Sequence, residues 1–557
     1  MPAIKYLDRI TITILLLAVL SLWAARAQGP IDLRYDAGVY YLTGEALGSG
    51  FGYRLLSEPG NINAIQYPPL LPTLVALVQL ATNSSDPEIV GRVLRLIYFV
   101  FSIVYTLSNY ALARTFLTPC WAVFAAAVPT LHVHTVFMSD LLFAELPYSL
   151  FTILFFLSAG REASQREFGP RFWVAAILAP AAFFLRTSGL ALLGAWIIDN
   201  SLRGYWRRAA IGVLISLLSV GGWQGYVWVI KHDSRYENPA YAYQRAAYQF
   251  YNVGYIENVL YVDPFQPELG RVDLYHFASR AAHNLRPLIG RIGETLSADR
   301  GWGRSEESES SIFIRSVLKA FWLGPHAVLL FAALSGVGLL LMVLRRQWLI
   351  PAYALASLLL IVITPWPAQF LRYLSPLAPV FGIAAAVALS TVTTKLRAKP
   401  LLVKIPVIAI SAVIVVIQVF ALSKMFKTDF NRVSYRGRNG HEISYHLFFY
   451  NRSWKAQDQA IDWLLANASP EDIVVTSTPH WVFIRTGLKA VMPPFEADPV
   501  LAQQLLDSVP TKYLVIDSLG FIDVSRRYGM PVVETFSQRW KEVYTSPDQS
   551  ARVFQRR

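Results

Sequence analysis

The 557-residue chain is 54% hydrophobic and only 16% charged, with a mean hydropathy of +0.39. That excludes an ordinary soluble protein, and successive apolar runs of about 18 to 25 residues read as transmembrane helices. The formal charge of +13 does not argue for nucleic acid, because most of the clustered Lys and Arg fall in short loops between apolar runs, the pattern of cytoplasmic membrane loops. The single cysteine, Cys120, excludes an intramolecular disulfide and a cysteine-based zinc cluster.

Residues 10–25 form the first predicted span, with Lys5 and Arg9 before it. A competing reading is a cleaved signal peptide ending at Ala25-Arg26-Ala27; an uncleaved anchor is preferred, because a positioned loop needs both ends fixed. The outer loop that follows (26–89) carries the polar stretch Ile31 to Pro72. It opens with Asp32 and Asp36, and Asp36 shares a helical face with Tyr40. Gly44, Gly48, Gly50 and Gly52 permit tight turns. Tyr67-Pro68-Pro69-Leu70 is expected to re-enter as an extended step before a short helix, and residues 72–80, too short to span, lie at the interface.

Spans two to four are expected at 90–114, 119–138 and 141–158, leaving Met138-Ser139-Asp140 at an outer corner. Residues 172–200 are broken by Pro180 and by Arg186-Thr187-Ser188-Gly189, and read as a two-helix hairpin with its apex at the break. Span seven (209–230) opens into a second outer segment (231–311) rich in tyrosine. Tyr236, Tyr241, Tyr243, Tyr248, Tyr251, Tyr255 and Tyr261 are expected at the lipid headgroup level. Its tail, 305–311, reads as an acidic connector.

Four further spans follow at 315–344, 348–364, 374–392 and 402–422. Eleven spans with the N-terminus inside put the basic clusters in the cytoplasm, and put Asp36, Asp140, the tyrosine-rich segment and the C-terminus outside. From Lys424 the composition becomes that of a soluble domain, with helices at 456–467 and 502–508 and strands at 472–478 and 512–517. The expected fold is therefore a polytopic α-helical membrane domain (1–423) with a small extracytoplasmic α/β domain (424–557).

Several residues carry chemistry in this frame. Asp36 is either a helix cap or solvated loop charge, or a functional acid. Asp140 closes His132-x-His134-x-x-x-x-x-Asp140, with Glu145 beyond it, and an acid at that corner is costly unless solvated or paired. A divalent cation on His132, His134 and Asp140 is the lesser reading, because histidines two apart on a helix point to different faces. Arg186 is an intramembrane charge, functional or paired with Glu145 or Asp140. Arg372 is either a phosphate ligand or an interface anchor.

The Asp36-x-x-x-Tyr40 step, the glycines and the Pro68-Pro69-Leu70 close resemble the first extracytoplasmic loop of C-class (GT-C) glycosyltransferases. The protein O-mannosyltransferases and lipid A aminoarabinose transferases are the nearest likenesses. Arg372-Tyr373-Leu374-Ser375-Pro376-Leu377-Ala378-Pro379 resembles the late-span motif of that class, and Arg186 to Gly189 its Arg-x-x-Gly stretch. The resemblance implies Asp36 as catalytic base and Asp140 as an assisting acid. It implies Arg372 and Tyr373, with Arg186, on the phosphate of a polyprenyl-phosphate sugar; Tyr40, Tyr67, Arg54 and Glu145 complete the substrate-binding set. Arg92 matches a recurring arginine with a structural role. One departure is Tyr67, where the aminoarabinose transferases have a phosphate-contacting lysine, so that Arg54 or Arg372 would compensate.

The expected activity is inverting transfer of a sugar from a polyprenyl-phosphate donor to an extracytoplasmic protein, lipid or glycan, in contact with membrane lipids and without nucleic acid. No Gly-x-x-x-x-Gly-Lys nucleotide loop is present. The alternatives are a transporter or flippase of a lipid-linked sugar, against which no internal repeat is found, and a membrane anchor for the α/β domain.

Overall fold

The computed structural model describes residues 2–162, 168–297, 325–396 and 401–557. The acidic connector 305–311 and the predicted start of span eight (315–324) lie outside the described residues. Among those described, six helices are long and apolar enough to cross a membrane: Tyr6–Ala24, Pro87–Ala113, Trp206–Lys231, His326–Leu344, Pro367–Lys395 and Val407–Thr428. Shorter apolar helices stand among them at Leu70–Thr82, Pro119–Leu131, Glu145–Gly160, Pro170–Leu185 and Leu349–Val362.

The first ten helices used below are α1 (Pro2–Ala24), α2 (Ala37–Gly48), α3 (Leu70–Thr82), α4 (Pro87–Ala113), α5 (Pro119–Leu131), α6 (Val133–Met138), α7 (Glu145–Glu162), α8 (Pro170–Leu185), α9 (Leu190–Leu202) and α10 (Trp206–Lys231). The predicted third span is two helices, because His132 adopts an extended backbone between α5 and α6. The predicted hairpin is present: α8 ends at Leu185, Arg186 is extended, and a 3-10 turn at Thr187–Gly189 leads into α9. A Cβ at Gly189 would lie 2.5 Å from the Phe183 nitrogen, so this turn closes only around glycine.

The loop expected to turn on its glycines is helical over Ala37–Gly48. Gly44 lies inside α2 against α3, where a Cβ would stand 2.5 Å from Cβ of Val75. This glycine, expected to allow a turn, serves close packing of two helices instead. Gly50 and Gly52 do turn, at φ +78 and +80. α3 begins directly after Pro69, as the Pro-Pro step requires.

The basic loops meet at the end of the bundle away from this loop. Arg114 Nε lies 2.8 Å from Asp8 Oδ1, Arg203 Nη2 donates to the Arg346 carbonyl at 3.3 Å, and Arg345 Nη2 donates to Thr391 Oγ1 at 2.8 Å.

The helix Leu401–Thr428 runs straight into an antiparallel hairpin, β1 (Phe430–Arg436) and β2 (Glu442–Phe448). Beyond it lie β3 (Ile473–Val475), β4 (Ala490–Val491), β5 (Thr511–Asp517), β6 (Trp540–Thr545) and β7 (Ala551–Arg556) in one sheet of order β4-β3-β5-β7-β6. β4, β3 and β5 run parallel, and β7 is antiparallel to both neighbours. Helices Arg452–Asn467, Pro479–Thr486 and Pro499–Asp507 connect the strands, so the expected α/β pattern is observed.

This region shares an apolar core with the bundle, running from Leu15 and Trp23 through Tyr98 and Phe381 to Trp454, Ile461 and Val482. Ala490 N donates to the Ser57 carbonyl at 3.0 Å, and Arg34 Nη2 to the Phe448 carbonyl at 2.7 Å. Tyrosines expected at lipid headgroups are built into this junction. Tyr241 and Tyr243 are buried in the α/β core, with hydroxyls on Glu58 Oε2 at 2.8 Å and on the Met492 carbonyl at 3.2 Å. A buried phenol needs such a partner; the first outer loop supplies it for Tyr241 and the α/β region for Tyr243.

Candidate active site around Asp36

Asp36 is the N-cap residue of α2, yet its side chain makes no capping hydrogen bond. The carboxylate is turned away: Oδ2 accepts from Arg372 Nη2 at 2.7 Å and Oδ1 from the Tyr251 hydroxyl at 2.9 Å. Tyr35 just before it holds φ +58, a left-handed backbone uncommon for an aromatic residue. Its ring is fixed edge-on to Trp454 and Phe521 of the α/β region, with centroids 5.3 and 4.8 Å away.

Arg372 sits on a short helix, Phe370–Leu374, between two 3-10 turns, Pro367–Gln369 and Ser375–Leu377, each containing a proline. Its Nε donates to Glu145 Oε1 at 2.7 Å, and its guanidinium lies 4.3 Å over the Phe143 ring. Arg186, placed by the break between α8 and α9, pairs with the same Glu145 oxygen. The result is a row of alternating charge, Asp36, Arg372, Glu145 and Arg186. Side-chain exposure is 16–19% for Asp36, Arg372 and Arg186, against 2% for Glu145. Glu145 is thus a sealed counter-charge, while the two arginines and Asp36 present reachable edges.

Aromatic side chains wall this row. Tyr40 and Tyr67 stand 4.9 Å apart, and Tyr67 and Tyr251 6.5 Å apart, by ring centroids. Tyr373 donates its hydroxyl to Gln369 Oε1 at 3.0 Å and lies under the Arg186 guanidinium at 5.9 Å. Tyr251 is delivered by a loop tied to the first one: Gln244 Nε2 donates to the Pro59 carbonyl at 2.9 Å, and Asn252 Nδ2 to the Gln244 carbonyl at 3.1 Å. Burial, and then the negative charge of Asp36, hold the Tyr251 hydroxyl well above its usual pKa, so it stays a donor.

Other sequence candidates lie elsewhere. Asp140 is enclosed, with Oδ1 3.2 Å from Arg95 Nη1, and Arg26 adds a second positive charge near it. Its carbonyl accepts from Asp32 N at 3.0 Å, and Leu142 N donates to the Asp32 carbonyl at 3.1 Å, latching the segment before Asp36 to the segment before Glu145. Asp32 itself is buried against Arg34, Oδ2 to Nη2 at 2.7 Å. Arg54 donates to the Asn61 carbonyl at 3.1 Å and closes its own hairpin, and Arg92 makes an exposed pair with Glu88.

The cation triad raised from the sequence is not assembled. His132 and His134 stack at 5.7 Å, Asp140 faces Arg95, and among the described residues no group of three or more His, Cys, Asp or Glu is placed to hold a metal. The extended backbone at His132 and the buried arginine account for this. Arg95, Tyr251 and His480 were not singled out for the site from the sequence. Their placement depends on helix packing and on long-range docking, which local patterns do not encode.

Comparison with family models and with curated sequences finds no match. Among solved structures, the chain resembles the Archaeoglobus fulgidus oligosaccharyltransferase crystallised with Zn and sulfate, with TM-score 0.54 and 15% identity over 97% of this chain and 72% of that one. The archaeal oligosaccharyltransferase AglB from Archaeoglobus fulgidus, in complex with an inhibitory peptide and a dolichol-phosphate, gives TM-score 0.54 and 13% identity over 98% and 74%. ArnT from Cupriavidus metallidurans bound to undecaprenyl phosphate gives TM-score 0.51 and 12% identity over 98% and 97%. At such identities the likeness is one of fold, and with the apolar helices it makes the chain an integral membrane protein with the fold of the C-class (GT-C) glycosyltransferases.

Proposed function

We propose that the chain is a glycosyltransferase that moves a sugar from a polyprenyl-phosphate donor to a hydroxyl-bearing acceptor, with Asp36 as general base. The observation that carries this is the Asp36 carboxylate itself. It declines the cap it is placed to make and stands at the reachable end of the Asp36–Arg372–Glu145–Arg186 row. The solved neighbours include proteins holding dolichol-phosphate and undecaprenyl phosphate, which supports a lipid-phosphate donor.

In this reading Arg372 and Arg186 receive the donor phosphate, an anion suited to guanidinium donors. An acceptor O–H gives its proton to Asp36 as its oxygen bonds the anomeric carbon. The bond from that carbon to the phosphate oxygen breaks, and the electron pair leaves on the polyprenyl phosphate, whose charge the arginines meet. Glu145 is taken up by two arginines and Asp140 by Arg95, which leaves Asp36 as the reachable carboxylate of this cluster. One such carboxylate supports a single displacement, hence inversion. Asp140 acts as a positioning residue through its latch to Asp32. The bias of Lys and Arg toward the loops at the opposite end supports a cytoplasmic placement of that end, with Asp36 and the α/β region outside.

The test is turnover of undecaprenyl-phosphate monosaccharides by the full chain in detergent, with the anomer of the product read by NMR. Wild type should form the inverted product and Asp36→Asn should not. Absence of turnover with a full panel of donors, alongside transport in sealed vesicles, would replace the enzyme with a transporter.

A further inference from the structure

The two oxygens of Asp36 face different chemistry. Oδ2 meets Arg372, on the side assigned to phosphate; Oδ1 meets Tyr251, and behind Tyr251 stands His480 of the α/β region. His480 is the second residue of the helix Pro479–Thr486 and is only 4% exposed. Its ring lies edge-on to Tyr251 with centroids 4.6 Å apart, and its Nδ1 is 2.8 Å from Ser57 Oγ. Its Cβ abuts the first turn of α2, the helix whose N-cap residue is Asp36, since a Cβ at Gly38 would stand 2.9 Å from it.

The other ring nitrogen, Nε2, is buried and has no hydrogen-bond partner among the described residues. An unmet buried nitrogen is unfavourable, and a phenylalanine would fill the same space without it. Ser57 fixes the ring through Nδ1, and the fixed ring keeps Nε2 as the nitrogen left without a partner behind Tyr251.

We propose that Nε2 of His480 is an acceptor-binding group, hydrogen-bonding a hydroxyl of the acceptor next to the one that Asp36 deprotonates. The soluble region thereby completes the acceptor half of the site, while the membrane helices supply the donor half. This rests on the transferase reading above. Ser57 and Gly38 act as positioning residues for the ring.

The experiment uses the full chain in detergent, undecaprenyl-phosphate monosaccharides as donor, and a membrane extract as the source of acceptor. Initial rates are measured against donor and against extract for wild type, His480→Phe and His480→Gln. His480→Phe keeps the ring against Tyr251 and should raise the half-saturating amount of extract roughly fivefold to tenfold, the range for one lost neutral hydrogen bond, with the donor KM within about twofold. His480→Gln, which restores a polar group, should recover most of that loss and carries the test if the phenylalanine variant does not fold. Donor and extract dependence shifting together, or neither shifting, would overturn the assignment. So would equal loss in the glutamine variant. Wild type inert toward every donor would instead remove the transferase reading, and the acceptor assignment with it.

Discussion

Two carboxylates at the same end of the bundle, Asp36 and Asp140, each face an arginine, and their surroundings differ. Asp140 is 2% exposed, with Arg95 beside it and Arg26 close by. Asp36 keeps 16% of its side chain exposed, opposite an arginine that is itself 19% exposed. An ion pair closed to solvent holds segments together; one with an open edge can exchange its partner for a substrate. The carboxyl to place at the chemistry is the one whose salt bridge stays reachable.

Exchanging each residue sharpens the comparison. Asp36→Asn should cost about 10³ in turnover, ~4 kcal/mol of barrier, with a melting temperature close to wild type. Asp140→Asn should do the reverse. It leaves Arg95 and Arg26 buried without their anion, which costs about 3 kcal/mol of stability, while the turnover of the folded fraction stays within about threefold. An Asp140→Asn protein that melts like wild type and is inactive would return Asp140 to catalysis.

Acid is a gentler probe. Burial pushes the His480 imidazole down to about 3, below the value near 6.5 of an unfolded histidine. The unfolded chain therefore binds the extra proton first, and the stability contributed by neutral His480 is present above pH about 6.5 and lost as pH falls toward 3. Between pH 7 and pH 5 wild type should lose about 2 kcal/mol more than His480→Gln, read from urea melts in detergent at the two pH values. The smallest effect expected is that of Tyr251→Phe, which removes the hydroxyl on Asp36 Oδ1 and should slow turnover about fivefold, ~1 kcal/mol. A hundredfold loss there would make Tyr251 a participant in proton transfer.

The charged row was legible in the sequence, and the groups packed behind Asp36 were not. Arg372 lies in a proline-punctuated motif, Arg186 at a visible helix break, and Asp36 in a polar loop between apolar runs; each is marked by local signals of breakage and charge. Long apolar runs likewise located the helices, and short apolar runs located the strands around Ile473–Val475 and Thr511–Asp517. Tyr251 reaches Asp36 across 215 residues and His480 reaches Ser57 across 423, the latter through docking of the α/β region that no local period encodes. Gly44 was read as a turn because a glycine in a loop and a glycine under a crossing helix look the same until Val75 is seen against it.

The central claim, that Asp36 deprotonates an acceptor beside a bound polyprenyl-phosphate sugar, is tested most directly by mass spectrometry of lipid co-purifying with wild type and with Asp36→Asn. The account predicts a polyprenyl-phosphate sugar on both proteins, consumed on adding membrane extract by wild type alone. If neither protein carries such a lipid and both behave alike in the extract, the claim is contradicted.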